Sequence, residues 1–167
     1  MEPAVTNNLG THEAGKFNDV LEFLENNNIN CKNISPLFSG RNSQVFYIES
    51  TNDKKFIVKK YYFDPTDKRN RAKTEYDFLF FLEKNNINNV ARPICLDDKK
   101  HMTIISFLPG KMPESSNQDL INKCGNFIKE INQNRFKKYA SRLPFASESQ
   151  DSIISHIKTI EERLQIL

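Results

Sequence analysis

Apolar positions change their period several times along this chain. Phe17, Val20, Leu21 and Leu24 recur at helical spacing, and the polar run Asn26–Asn28 ends the helix they predict. Three β-branched and aromatic segments follow: Ile34–Phe38, Val45–Ile48 and Phe56–Tyr62. The first two flank a turn at Gly40, and the last two flank Thr51-Asn52-Asp53, a hairpin signal. Pro36 has no N–H to donate, so the first strand belongs at a sheet edge or has Pro36 near its start. Asp64-Pro65-Thr66-Asp67 reads as a turn and helix start. The helix runs from about Lys68 to Lys84, with Ala72, Tyr76, Leu79 and Leu82 on one face, and Asn85–Asn89 stops it. Pro93–Leu96 and Met102–Leu108 predict a further strand pair around Asp97–Lys100, and Leu108-Pro109-Gly110 breaks the sheet pattern.

Beyond that break the pattern is helical. Leu120, Cys124, Phe127, Ile128 and Ile131 form one stripe; Ile153, Ile157, Ile160, Leu164 and Leu167 form a second, at alternating steps of four and three. No internal repeat stands out, and the asparagine clusters read as compositional bias in turns. The chain thus divides into a flexible leader (1–15), an α+β unit with an antiparallel sheet (16–108), a linker (109–116) and a helical part (117–167). The second stripe runs apolar to the last residue with no helix-stop signal. A seam of that kind needs another layer over it, so the expectation is a helical unit cut short. A two-heptad coiled coil is the competing reading of the same stripe.

Composition narrows the class. With 38% hydrophobic and 27% charged residues the chain is globular, and a net charge of +3 is too small to argue for nucleic acid or an anionic membrane. Cys31, Cys95 and Cys124 are odd in number and far apart, which points to reduced thiols in a cytoplasmic protein rather than a disulfide frame or a zinc site. The first 16 residues lack the apolar stretch of a signal peptide, and no run is long enough to span a bilayer.

The chemistry lies in three elements in a fixed order. The first is the Ser39–Val45 turn, where Gly40 lets backbone N–H groups approach a phosphate and Asn42 and Ser43 add short donors. It is not a Walker loop, which needs a second Gly followed by Lys and Ser or Thr. The second is a lysine late in a strand. Ile57, Lys59 and Tyr61 share one face of that strand, and Phe56, Val58 and Lys60 share the other. One of the two lysines must point into whatever the sheet covers. The third is Glu75, three residues after Ala72 and followed by Leu79 and Leu82, inside the apolar stripe of the next helix. A carboxylate there is costly without a cationic partner, and Lys59 is the candidate. Gly turn, strand lysine and helix glutamate in that order make the phosphate-handling half of a kinase-type site. No His-x-Asp loop or Asp-Phe-Gly-like metal motif follows before Leu167.

From about Asn33 onward the sequence resembles the N-terminal part of the aminoglycoside phosphotransferase family, the small-molecule branch of the protein-kinase-like fold. The matching stretches include SGRNSQVFYI, KKFIVKKYYF, DKRNRAKTEYDFLFFL and ARPICLDDKKHMTIISFLPG. The resemblance implies a kinase-like N-lobe with one packed helix, a hinge, and the first helices of an incomplete helical C-lobe. It implies ATP as cofactor, with Gly40, Asn42 and Ser43 over the phosphates, Lys59 on them, and Glu75 orienting Lys59. The hinge contacts to adenine would be the Ser106 carbonyl and the Leu108 N–H, with Ile105 behind the base; many family members carry an acidic residue where this chain has Ser106. The family's catalytic Asp and its Mg²⁺ ligands fall beyond Leu167. The resemblance therefore implies the nucleotide half of an enzyme that phosphorylates a hydroxyl of a small molecule. The alternative is a non-catalytic, kinase-derived module that binds nucleotide or a protein partner. The basic run Lys68–Lys73 reads as a solvated helix start rather than a nucleic-acid patch, and the Ile153–Leu167 seam offers a surface for self-association.

Overall fold

The structure is a computed structural model that describes residues 17–40, 42–63, 65, 69–111, 113–144 and 152–165. The leader (1–15), most of the Asp64–Asp67 turn, Lys68 and Leu167 lie outside the described residues.

In chain order the elements are helix α1 (Asn18–Asn26), strands β1 (Cys31–Ser39), β2 (Ser43–Ser50) and β3 (Lys55–Tyr61), helix α2 (Arg71–Lys84), strands β4 (Pro93–Asp97) and β5 (Met102–Ser106), and helices α3 (Gln118–Gln133) and α4 (Ile153–Leu164). A short 3₁₀ turn at Ala140–Arg142 follows α3. The strands form a single antiparallel sheet in the order β1-β2-β3-β5-β4, so α2 carries the chain from the middle of the sheet to its far edge. This is the expected α+β architecture of one antiparallel sheet with a helix packed on it. β1 is longer than the Ile34–Phe38 expected, and it lies at the sheet edge as Pro36 required, with a register shift between Pro36 and Phe38.

The alternating pattern of the strands sorts their side chains between two surroundings. Ile34, Phe46, Ile48, Val58, Met102 and Ile104 form one buried face, and α1 covers it with Phe17, Val20, Phe23 and Leu24. Ion pairs rim this layer: Lys60 Nζ reaches Asp19 Oδ2 at 2.6 Å and Lys100 Nζ reaches Glu22 Oε2 at 2.8 Å. A second, smaller core forms where the end of α2 meets α3 and the 3₁₀ turn. Phe81, Leu82 and Ile87 are buried there against Phe127, Ile131, Tyr139 and Leu143. On α2 the buried residues are Ala72, Phe81 and Leu82, while Tyr76 and Leu79 are only half-covered. The stripe expected on α2 shifts because its last turn faces α3 rather than the sheet.

The asparagine clusters do more than fill turns. Leu24-Glu25-Asn26-Asn27-Asn28-Ile29 and Leu82-Glu83-Lys84-Asn85-Asn86-Ile87 are two copies of one helix-stop device. Asn28 (φ 57°) and Asn86 (φ 59°) take the left-handed conformation. The amides of Ile29 and Ile87 then donate back to the carbonyls of Leu24 (2.9 Å) and Leu82 (3.0 Å), and both isoleucines are buried. This pattern satisfies carbonyls that the helix end would leave open. Asparagine tolerates the left-handed region better than other side chains, and a residue without that tolerance loses about 1–2 kcal/mol there. We expect Asn28→Gly to leave stability nearly unchanged and Asn28→Val to lower it by that amount, measured by urea unfolding. Equal losses for the two variants would mean that backbone conformation is not what asparagine supplies.

The second apolar stripe behaves differently from the first. Phe127 and Ile131 of α3 enter the second core, but Ile121 and Ile128 are exposed. On α4, Ile153 (80% exposed), Ile157, Ile160 and Leu164 all face solvent. Packing of this seam onto the Leu120–Ile131 helix is not seen among the described residues.

Candidate functional site

The sheet has a second face, opposite α1. Cross-strand partners share a face, so the pairs Val45↔Lys59, Tyr47↔Ile57, Lys59↔Thr103 and Ile57↔Ile105 place Val45, Tyr47, Ile57, Lys59, Thr103 and Ile105 together. The choice between the two adjacent lysines is therefore resolved. Lys60 lies on the α1 face with Val58 and pairs with Asp19 at the rim; that hydrogen bond, then the lysine's charge, hold the Asp19 carboxyl below its usual range. Lys59 lies on the other face.

Glu75 meets it there. Ala72, one turn earlier on α2, is fully buried, so the same side of the helix carries Glu75 toward the sheet. Lys59 Nζ forms an ion pair with Glu75 Oε1, and the side chains are 26% and 23% exposed. The pair is thus sheltered but within reach of solvent. The other carboxylate oxygen, Oε2, accepts a hydrogen bond of 2.6 Å from the Tyr61 hydroxyl. Burial, and then the hydrogen bond to Glu75, push the Tyr61 phenol above its ordinary pKa, so it stays protonated. Period-2 alternation already put Tyr61 on the face of Lys59. Its role went unread in the sequence because a tyrosine beside Tyr62 and Phe63 looks like strand packing.

The Gly40 turn closes the β1–β2 hairpin beyond the last pair, Ser39↔Gln44. Its ends are tied down: the Gly40 amide donates to the Ser43 carbonyl (2.9 Å), and the Tyr62 amide donates to the Asn42 carbonyl (3.1 Å). Ser43 pairs with Tyr61 across β2 and β3. The turn thus sits at the C-terminal end of β3, one pleat beyond Lys59.

The segment expected to serve as a hinge lies at the other end of the same strand. Ser106 pairs with Phe56, and the Phe107 amide donates to the Lys55 carbonyl (3.2 Å). Ser106 is clamped to Arg92: its amide donates to the Arg92 carbonyl (2.9 Å), and its Oγ accepts from the Arg92 amide (2.8 Å). Ile105 is buried, and Leu108 is half-exposed with no partner for its amide among the described residues. From Phe56 to Lys59 is three strand residues, about 10 Å at the usual rise. Between these ends Val45, Tyr47 and Ile57 make a half-buried apolar strip, with Tyr47 edge-on to Phe107. The Thr103 side chain, opposite Lys59, is fully buried, and its hydroxyl has no hydrogen-bond partner among the described residues.

The structure therefore brings Gly40, Asn42, Ser43, Lys59 and Glu75 to one end of β3 and Ser106 and Leu108 to its other end; Ser106 pairs with Phe56, so its side chain lies on the α1 face and only its backbone can serve the face of Lys59. The arrangement can present a fixed ammonium and short loop donors to an anion at one end and a free amide to a planar base at the other. Among the described residues, no helix is long and apolar enough to cross a membrane.

No protein-family profile matches the chain, and no curated protein does. Nothing therefore singles out the aminoglycoside phosphotransferase family. Among solved structures the chain is similar to the Rio2 kinase–ADP/Mg²⁺–phosphoaspartate complex from Chaetomium thermophilum, at 16% identity and a TM-score of 0.49. The match covers 78% of this chain and 45% of that one, so the chain spans less than half the length of the protein it matches.

Proposed function

We propose that this chain holds the nucleotide in an ATP-dependent phosphotransferase of the kinase-like type, in the manner of the aminoglycoside phosphotransferases, with a small-molecule hydroxyl as acceptor in the whole protein. The observation that carries this reading is the Lys59–Glu75 ion pair on the sheet face opposite α1, lying between the Gly40 turn and the 106–108 segment. In phosphoryl transfer the protein contributes mainly position and charge. A lysine kept in place by a carboxylate, rather than left on a flexible stem, supplies both.

In this reading ATP lies along β3. Adenine meets the Leu108 amide and the Ser106 carbonyl with Ile105 behind it, and Val45, Tyr47 and Ile57 cover the nucleoside. Lys59 neutralises the phosphates, with the Gly40–Ser43 turn over them. The donor set fits an oligophosphate: one ammonium, one turn with short polar side chains, and an unpartnered amide at the distance of the base. Mg²⁺ would spread phosphate charge when bound. Among the described residues no three His, Cys, Asp or Glu side chains converge to hold a metal, so its ligands would come from groups outside them. We assign no nucleic-acid role to the basic run, in which Lys73 is already paired with Asp77 one turn along α2.

Amide chemical-shift mapping tests the placement. ATP should perturb both the Leu108 end and the Gly40–Lys59 end of the site, and adenosine only the first. Absence of shifts at either end in several-fold molar excess of ATP, or shifts confined to another surface, would reject the reading.

A further inference from the structure

Lys59 can fix a phosphate only if its own ammonium is fixed, and its partner Glu75 is also a flexible side chain. A lysine carries about 2 kcal/mol of rotamer entropy, so a single ion pair between two long stems leaves both free to wander. Here the carboxylate has a second tie. Tyr61 stands two residues after Lys59 on the same strand face, and its hydroxyl donates to Glu75 Oε2 at 2.6 Å while Lys59 occupies Oε1. One strand thus grips both oxygens of one carboxylate.

We propose that Tyr61 is a positioning residue of this site: it locks the Glu75 carboxylate in the orientation that holds Lys59 toward the phosphates. Three features carry the assignment. Tyrosine has few rotatable bonds and a rigid ring, so it orders an acceptor at low entropic cost. Its backbone is pinned on both sides, by pairing with Ser43 and by its amide donating to the His101 carbonyl at 2.9 Å. The register couples it to the phosphate turn as well, because Ser43 is the last residue of that turn. Movement of the turn would then reach Lys59 through Tyr61 and Glu75. Like any tyrosine phenol it is protonated at neutral pH, and burial and the hydrogen bond to Glu75 push its titration further into the alkaline range.

The inference rests on the nucleotide reading only for its ATP arm. The variant Tyr61→Phe keeps the ring and removes the one donor. Its first readout needs no ligand: water exchange of the Lys59 ammonium protons, followed by nitrogen-detected NMR on the 167-residue chain. Slow exchange in the parent and clearly faster exchange in Tyr61→Phe is the expected result. The second readout is affinity. ATP should bind about threefold to tenfold more weakly to Tyr61→Phe, the scale of losing one hydrogen bond that acts through another group, and adenosine equally well to both. A role in packing alone would move neither exchange nor the ATP-to-adenosine ratio. Unchanged Lys59 exchange in Tyr61→Phe overturns the proposal. If the parent binds neither ATP nor adenosine, the nucleotide reading falls, and the exchange comparison alone still decides the role of Tyr61. Should Tyr61→Phe fail to fold, the parent supplies the test: a slowly exchanging Tyr61 hydroxyl proton with a cross-relaxation contact to Glu75 is expected, and its absence overturns the proposal.

Discussion

Replacing Leu24 with alanine will lower folding stability by about 2–5 kcal/mol, the range for emptying a fully buried leucine site. Leu24 is wholly inaccessible and sits where α1 crosses the sheet face formed by Ile48, Val58 and Ile104. Against a total of about 5–15 kcal/mol for a domain, that loss is a large fraction of what holds the sheet together. It also bears on function. The core under α1 fixes the orientation of Val58, and Val58 lies between Ile57 and Lys59 on β3, so packing on one face presents Lys59 on the other. Urea unfolding checks the number. Leu37, 42% exposed on the edge strand, is the control, with an expected change within about 0.5 kcal/mol on truncation. A loss below about 1 kcal/mol for Leu24→Ala would mean that α1 is not an integral layer of the fold.

The second large effect separates two neighbours in sequence. Lys59→Ala should weaken ATP binding by about tenfold to a hundredfold, the equivalent of a charge-assisted hydrogen bond worth roughly 1.5–3 kcal/mol. Lys60→Ala should leave ATP binding unchanged. Its cost is to stability alone, within about 1 kcal/mol, because the Lys60–Asp19 pair is exposed. Calorimetric titration with ATP measures the first, and unfolding curves the second. If the two variants weaken ATP equally, the nucleotide does not use the face on which Lys59 lies. If Lys60→Ala alone does so, ATP binds on the side of α1.

The asparagine-rich helix ends carried a message in plain letters. Leu-Glu-x-Asn-Asn-Ile occurs at 24–29 and again at 82–87. A leucine whose carbonyl is reclaimed by an amide five residues on, with asparagine at the left-handed position between them, is a pattern that spacing alone can show. Composition hid it, because asparagine also surrounds both motifs. The Tyr61 hydrogen bond is a different matter. Alternation assigns Tyr61 to the face of Lys59, but nothing in the chain says which carboxylate comes within reach of its hydroxyl until α2 is laid against the sheet.

The sequence by itself determined the elements and their order: a first helix, three strands joined by two turns, a helix between β3 and β4, a further strand pair, and helices beyond the 108–110 break. It did so because strand and helix periods are local properties of the chain. It also determined that one lysine of the Lys59-Lys60 pair faces a covered side and that Glu75 needs a cation, because alternation and the cost of a buried charge hold in any fold. Only the tertiary structure decided which lysine it is, since either register satisfies the alternation until α1 covers the Val58 face. It decided that α2 divides its apolar surface between the sheet and α3, so that Phe81 is buried and Tyr76 is not. And it decided the fate of the two helical stripes. Their periodicity is alike, yet Phe127 and Ile131 find partners on α2 while Ile153, Ile157, Ile160 and Leu164 face water. A stripe states that a face is apolar; what lies against it is set by elements distant in sequence, and that is information no local period contains.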